Sequence, residues 1–214
     1  MQGKLIVFEG VEGAGKTTQM QRIQAGLQGL IDTPIVITRE PGGTLLGQEL
    51  RRLLLEYQGE DPIQNRAELL MYAAHRAQHV QGFLQPLLYQ GNIVLCDRYT
   101  DSTIAYQGYG RGLDLNLIDQ LNQIATDGLE SDLTLWLDVD VELGLARTRT
   151  RGKMDRMEQA NLEFHQRVQQ GFKELALAHA DRIIPINGML NPDQVTETIQ
   201  SILIEKLTAW GFII

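Results

Sequence analysis

The stretch Gly10-Val11-Glu12-Gly13-Ala14-Gly15-Lys16-Thr17 has the residue types needed to hold a polyphosphate. Its three glycines permit a tight loop whose backbone N–H groups converge on phosphate oxygens. Lys16 adds a positive charge for the β- and γ-phosphates, and a hydroxyl such as that of Thr17 can ligate Mg²⁺ beside them. A chance match in a glycine-rich turn is the competing reading, and the flanking sequence opposes it. Leu5-Ile6-Val7-Phe8 precedes the loop as a strand-like run, while Met20, Ile23 and Leu27 follow it at helical spacing. A helix starting near Lys16 would direct its positive end at the same anion. Asp97 closes another apolar run, where phosphate-loop enzymes place a carboxylate near Mg²⁺. The alternative for Asp97, as for Asp138, is an aspartate that only caps its turn.

Arg39 and Arg98 follow two different apolar runs and are therefore expected at one edge of a sheet. There a pair of planar guanidiniums could grip the oxygens of a second phosphate. Taken singly, each arginine could equally be a surface ion pair. Arg147, Arg149, Arg151, Lys153 and Arg156 crowd a short segment containing Gly152 and Asp155. A solvated helix end would explain them. A mobile lid over about 147–158 explains them better in a phosphate-loop protein, because its arginines would neutralise a transferring phosphoryl group and exclude water. Water exclusion protects a donor nucleotide from hydrolysis and points to a kinase with a small acceptor. The chain lacks the Asn-Lys-x-Asp element of guanine-reading GTPases.

Positioning these groups requires a sheet. Leu5–Phe8, Ile35–Ile37, Ile93–Cys96, Leu133–Leu137 and Ile183–Ile186 read as strands, the last at an edge because of Pro185. Helical patterns separate them: one after Pro41-Gly42-Gly43 through Leu50, Leu53 and Leu54, one over about 66–88 interrupted near Gly82 or Pro86, and a last one after Asn191-Pro192. Strands alternating with helices give right-handed crossovers and a parallel sheet, with ligands at the carboxyl ends of its strands. No repeat or linker divides the 214 residues, so one domain over 1–214 is expected. With 27 acidic against 19 basic residues the net charge is −8, which opposes non-specific binding to nucleic acid or anionic membrane. Cys96 is the single cysteine, no apolar run approaches a membrane span, and the first residues are too short a run for a signal peptide. A cytoplasmic location is the expectation.

The sequence resembles the thymidylate kinase family almost from end to end. The elements that carry the resemblance are Phe8 to Thr18, Thr38-Arg39-Glu40-Pro41-Gly42-Gly43-Thr44, Tyr72-Ala73-Ala74-His75-Arg76, Asp97-Arg98-Tyr99, Ser102 to Gly108 and Arg149 to Glu158. The phosphate loop alone is widely shared; the other segments, in this order with a basic lid, are far more specific. The resemblance implies an α/β phosphate-loop nucleoside monophosphate kinase fold with a five-stranded parallel sheet. It also implies transfer of the ATP γ-phosphoryl to dTMP with Mg²⁺, and a homodimer. It assigns ATP to residues 10–17 and Mg²⁺ to Thr17 and Asp97. Glu12 would lie at the sugar and the catalytic centre, with Lys16. Arg39 and Arg98 would hold the monophosphate, Arg76 and Thr103 would meet thymine, and Tyr72 would stack on it. Gln107 belongs to the same acceptor set, and Tyr106 would press on C2′ of the sugar. With no arginine in the phosphate loop, the sequence looks like the form in which the lid supplies the cation, from Arg149, Arg151 or Arg156.

Rival functions remain open at this point. A nucleoside monophosphate kinase for another base, a deoxynucleoside kinase, a non-catalytic nucleotide sensor and a mechanical ATPase would all use the loop. His75 and His79 are spaced for a shared metal, but no third ligand accompanies them, so partly exposed helix positions are expected.

Overall fold

The computed structural model describes residues 2–150, 152 and 154–213. Strands β1 (Lys4–Glu9), β2 (Ile35–Arg39), β3 (Ile93–Asp97), β4 (Leu133–Asp138) and β5 (Ile183–Asn187) form one parallel sheet in the order β2-β3-β1-β4-β5. Helix α1 (Lys16–Leu27) crosses from β1 to β2, α2 (Leu45–Glu56) and α3 (Asn65–His79) follow β2, and α9 (Pro192–Ala209) closes the chain. The remaining α-helices are α4 (Gln85–Tyr89), α5 (Thr100–Thr103), α6 (Leu115–Thr126), α7 (Val141–Arg149) and α8 (Leu162–Ala178), and a π-helical stretch, Ile104–Gly110, continues α5.

Alternation along the strands divides the core. Ile6, Phe8, Ile93 and Leu95 face one side and pack with Met20, Ile23 and Leu27 of α1 and Val195, Ile199 and Leu203 of α9. Leu5, Val7, Val94 and Cys96 face the other side, against Val80, Leu84 and Leu88. Successive side chains of a strand point to opposite faces, so a run that is apolar throughout must be covered on both. A third cluster, built on Val168, Phe172 and Tyr106, fills the space between α8 and the helical segment after β3.

Register brings the chemistry together. Phe8 lies opposite Asp97, and Asp97 lies opposite Arg39. The loop after β1, the turn after β3 and the end of β2 therefore open on the same sheet edge. The expected long helix is α3 and α4 joined by a π-helical stretch, Val80–Leu84, so the interruption falls at Gly82. Pro86 sits in the first turn of α4, where its missing N–H costs nothing. Asn191 caps α9, its side chain accepting from the Asp193 and Gln194 N–H groups.

Candidate active site

Three glycines of the loop have left-handed or otherwise positive φ: Gly10 at 143°, Gly13 at 71° and Gly15 at 92°. At Gly13 the need is steric as well, because a Cβ would come within 2.1 Å of the Gly144 carbonyl oxygen. Helices α2, α6, α7, α8 and α9 all begin with a side chain bonded to a first-turn N–H. Helix α1 begins at Gly15 with no such side chain and no acid in its first turn. Its first N–H groups and its dipole are thus left for an anion. Lys16 is buried, and its ammonium donates to the carbonyls of Gly10 and Val11 at 3.0 and 3.3 Å. Burial and the nearby Arg98 push its pKa below the ordinary lysine value. The Thr17 hydroxyl donates to Asp97 at 3.1 Å.

A cleft of about 1500 Å³ runs from Gly13–Thr18 past Arg39, Asp97 and Arg98. A smaller cavity of about 540 Å³ adjoins it, lined by Tyr72, Arg76, Thr103, Tyr106 and Gln107. Glu12, Glu40, Arg51, Arg98 and Asp155 line both. The cleft and the cavity therefore meet at Arg98, where the two reactants of a transfer could approach each other.

Arg98 has φ 71°, uncommon for a residue with a side chain. Its N–H donates to the Phe8 carbonyl, and its guanidinium donates to Gly10 O, Ser102 Oγ, Glu12 Oε1 and Tyr106 OH at 2.7–3.1 Å. Burial works against its charge, yet Glu12, Tyr106 and Glu9 together raise its pKa well above the usual arginine value. Tyr106 OH also donates to Glu12 at 3.0 Å. Burial would raise the Glu12 pKa, but Arg98 and Lys16 hold it below the ordinary carboxylate value. Glu9, completely buried, accepts from the N–H groups of Tyr99 and Ser102 and from the Ser102 hydroxyl, which fixes the turn carrying Arg98.

On the far wall of the smaller cavity Arg76 is 2% exposed. Its Nε donates to Glu40, its Nη1 to Thr103 and Asn122, and its Nη2 to the Tyr99 carbonyl, at 2.7–2.9 Å. Of five N–H groups, one on Nη2 has no partner among the described residues. Glu40 also bonds His79 Nδ1 at 2.9 Å, and His79 Nε2 bonds the Thr38 hydroxyl at 2.8 Å. His75 Nε2 accepts from the Gly42 N–H at 2.7 Å. Both histidines are fully buried rather than partly exposed as their spacing led us to expect. They brace the turn after β2, a tertiary role that helical periodicity does not reveal. Burial pushes the His75 pKa down to about 4, keeping the ring neutral and able to accept.

The basic segment after β4 divides. Arg147 Nη1 reaches the Gly13 carbonyl at 3.4 Å, while Arg149 is exposed in the last turn of α7. Arg151 and Lys153 lie outside the described residues. Arg156 turns away from the phosphate loop: its Nε donates to the Leu54 carbonyl and its Nη2 to Glu68. Arg39 is exposed beside the cleft, and its guanidinium has no hydrogen-bond partner among the described residues. Sequence pattern alone does not mark Arg51, which lines both cavities and donates to the Pro41 carbonyl, because its spacing is that of any α2 surface position. Glu68 and Glu9 escape notice because their partners lie far off in the chain, although Glu9 directly precedes the loop.

Among the described residues no group of three or more His, Cys, Asp or Glu side chains is arranged to hold a metal by itself. The Thr17 hydroxyl and Asp97 carboxylate offer two hard oxygen donors side by side. That set suits a Mg²⁺ whose other positions are filled by phosphate oxygens and water.

Comparison with known proteins points to one family. A sequence model described as thymidylate kinase matches residues 8–199. A thymidylate kinase of Cyanothece sp. is 58% identical, with 98% of this chain and 97% of the relative aligned. That of Nostoc punctiforme is 59% identical over 95% and 96%, and that of Trichodesmium erythraeum 55% over the whole of both. A crystal structure of a thymidylate kinase from Ehrlichia chaffeensis superposes with a TM-score of 0.77 at 37% identity, covering 95% of this chain and 99% of that one.

Proposed function

Since the chain belongs to the thymidylate kinase family, we propose that its two joined cavities bind ATP and dTMP and that Arg98 stands where they meet. The enzyme transfers the γ-phosphoryl of ATP to the 5′-phosphate of dTMP, giving dTDP and ADP, a step toward dTTP. The observation that carries this reading is the sharing of Glu12 and Arg98 between the phosphate cleft and the aromatic cavity.

ATP phosphates rest on the N–H groups of Gly10–Thr17, with Lys16 at the β- and γ-oxygens. Thr17 and Asp97 would hold Mg²⁺, which would supply neutralising charge for those oxygens. Arg98 and Arg39 hold the acceptor phosphate in line with the γ-phosphorus. Positioning of this kind contributes most of the catalysis where the transition state is loose. Arg98 already has carboxylate partners, so it is oriented before the substrate arrives. The lid, about residues 147–158, brings Arg147 and the neighbouring Arg149 toward the transferring group. Arg156 in this arrangement anchors the lid instead of acting on phosphate, which the Glu68 and Leu54 bonds support.

Thymine lies against Tyr72. The Gln107 Oε1 accepts from its ring N–H, and the spare Arg76 N–H together with Thr103 addresses a carbonyl. Tyr106, tied to Glu12 and Arg98, sits at C2′ and leaves no room for a ribose hydroxyl. A homodimer belongs to the same proposal: Leu70 on α3 and Ile124 on α6 are exposed, and these two helices pack together. So does a cytoplasmic setting, supported by the single buried Cys96; no described helix is long and apolar enough to cross a membrane.

The test is ADP release with ATP and Mg²⁺, offering dTMP, dUMP, dCMP, dGMP, thymidine or no acceptor in parallel. Strong turnover with dTMP and almost none without acceptor is expected. Equal use of several monophosphates, or turnover without any, would remove the thymidylate assignment.

A further inference from the structure

Glu68 has no place in the phosphate chemistry, yet it accepts four hydrogen bonds from three side chains. Its side chain is fully buried at 0% exposure, in the first turn of α3. Oε1 accepts from Gln107 Nε2 at 2.9 Å and from Arg111 Nε at 3.2 Å. Oε2 accepts from Arg111 Nη2 at 3.2 Å and from Arg156 Nη2. Two of these donors belong to the segment that lines the acceptor cavity, and the third belongs to the lid. We propose that Glu68 is a positioning residue that couples lid closure to base reading, by fixing the Gln107 amide on one side and latching Arg156 on the other. The inference rests on the acceptor reading given above and extends it to a residue outside the cavity lining.

The first half follows from hydrogen-bond chemistry. An ionised carboxylate only accepts, so Gln107 must turn its NH₂ toward Glu68. Burial raises the Glu68 pKa, but Gln107, Arg111 and Arg156 outweigh it and keep the group below the ordinary carboxylate value. The Gln107 Oε1 is then the amide atom left to the cavity, which Gln107 lines. An acceptor at that point suits a pyrimidine with a ring N–H, as in thymine and uracil. Cytosine presents a bare ring nitrogen there, and two acceptors would face each other. Without Glu68 the amide can rotate by half a turn and present its NH₂ instead, which removes the discrimination.

The second half concerns the lid. Arg156 is held at three points: its N–H by the Leu55 carbonyl, its Nε by the Leu54 carbonyl and its Nη2 by Glu68. That docking carries Asp155 and Met157 over the acceptor cavity, where both are lining residues and Met157 is 2% exposed. Arg111 also reaches the Met157 sulfur at 3.6 Å. Lid opening withdraws one cation from Glu68 and loosens the carboxylate that orients Gln107. Coupling of this kind is reciprocal: a base engaging Gln107 favours the closed lid by the factor that closure favours the base.

The experiment measures kcat and KM for dTMP, dCMP and ATP in wild type, E68Q, R156Q, R156K and the E68Q/R156Q double variant. Loss of dTMP-dependent turnover in the wild type would sink the kinase reading itself, before the coupling is reached. Given an active wild type, E68Q should lower the dTMP-over-dCMP preference in kcat/KM by about tenfold, the scale set by one charge-assisted buried bond, with KM for ATP within about twofold. R156Q, at a partly exposed position outside the cavity lining, should lower the same preference several-fold, and R156K should restore part of it. The double variant should be little worse than E68Q alone. R156Q decides the matter even if E68Q does not fold. A fall in kcat with an unchanged preference would make Arg156 a cation acting on the phosphoryl group, and would overturn the coupling. Effects of E68Q and R156Q that simply multiply would overturn it as well.

Discussion

Replacing Glu40 by glutamine should cost stability and acceptor binding together, and the size of both effects follows from its surroundings. Glu40 is 4% exposed and receives Arg76 Nε at 2.8 Å and His79 Nδ1 at 2.9 Å. Burial raises its pKa, but Arg76 and His79 prevail and bring it down from 4.5 to about 2. By linkage a shift of that size corresponds to roughly 3 kcal/mol. Removing one partner of a buried ion pair costs about 3–5 kcal/mol by a separate route. The two agree on about 3 kcal/mol, which at an m-value of about 2–3 kcal/mol/M should lower the urea midpoint of Glu40→Gln by about 1 M. Because the folded pKa is depressed, the contribution is complete above the unfolded value of 4.5 and fades as pH falls through 2. The deficit of the variant should therefore shrink by about 1 kcal/mol between pH 7 and pH 3.5. Kinetically, Arg76 loses the bond that aims its guanidinium, so KM for dTMP should rise several-fold while KM for ATP hardly moves. A midpoint shift below about 0.3 M, or equal increases in both KM values, would refute the reasoning.

Three further outcomes test other parts of the site. Gly13→Ala places a Cβ 2.1 Å from the Gly144 carbonyl at φ 71°, so ATP affinity measured by calorimetry should fall at least about tenfold; unchanged affinity would mean that the loop relaxes freely. Tyr106→Phe removes one hydroxyl from both Glu12 and Arg98 and should raise KM for dTMP by about three- to tenfold. A normal KM would reduce Tyr106 to packing against Phe164 and Phe172. His75 must stay neutral to accept from Gly42, and burial pushes its pKa from 6.5 to about 4. The wild type therefore loses that contribution as pH falls from 6.5 through 4. Glu9, raised by burial to about 7, acts in the opposite sense between 4.5 and 7, so the readout is the difference between wild type and His75→Gln. Identical slopes of unfolding free energy against pH would remove His75 from the account.

What was legible in the sequence had short-range causes. The phosphate loop is contiguous, and Gly10, Gly13 and Gly15 are required by the backbone of that very segment. The five strands show as apolar runs because both faces of the sheet are covered. Arg39 and Arg98 could be put at one edge because each follows its strand directly, and register then aligns them. Helix α8 was readable in principle from Phe164, Val168, Phe172 and Leu175 at helical spacing. The burial of His75 and His79 was not, since their partners Gly42, Thr38 and Glu40 lie more than thirty positions away. Glu68 has the same problem: nothing near it in the chain indicates that Gln107, Arg111 and Arg156 will converge on it. Within the basic segment, spacing showed that the arginines cluster, and only the tertiary contacts separate Arg147, near the phosphate loop, from Arg156, held by α2 and α3.

The most direct test follows the phosphoryl group itself. The enzyme is incubated with ATP labelled at the γ-phosphate, Mg²⁺ and dTMP, and the products are separated. The account predicts label in dTDP, one for each ADP formed, with little inorganic phosphate. Label appearing chiefly as inorganic phosphate, or remaining in ATP while dTMP persists, would contradict it.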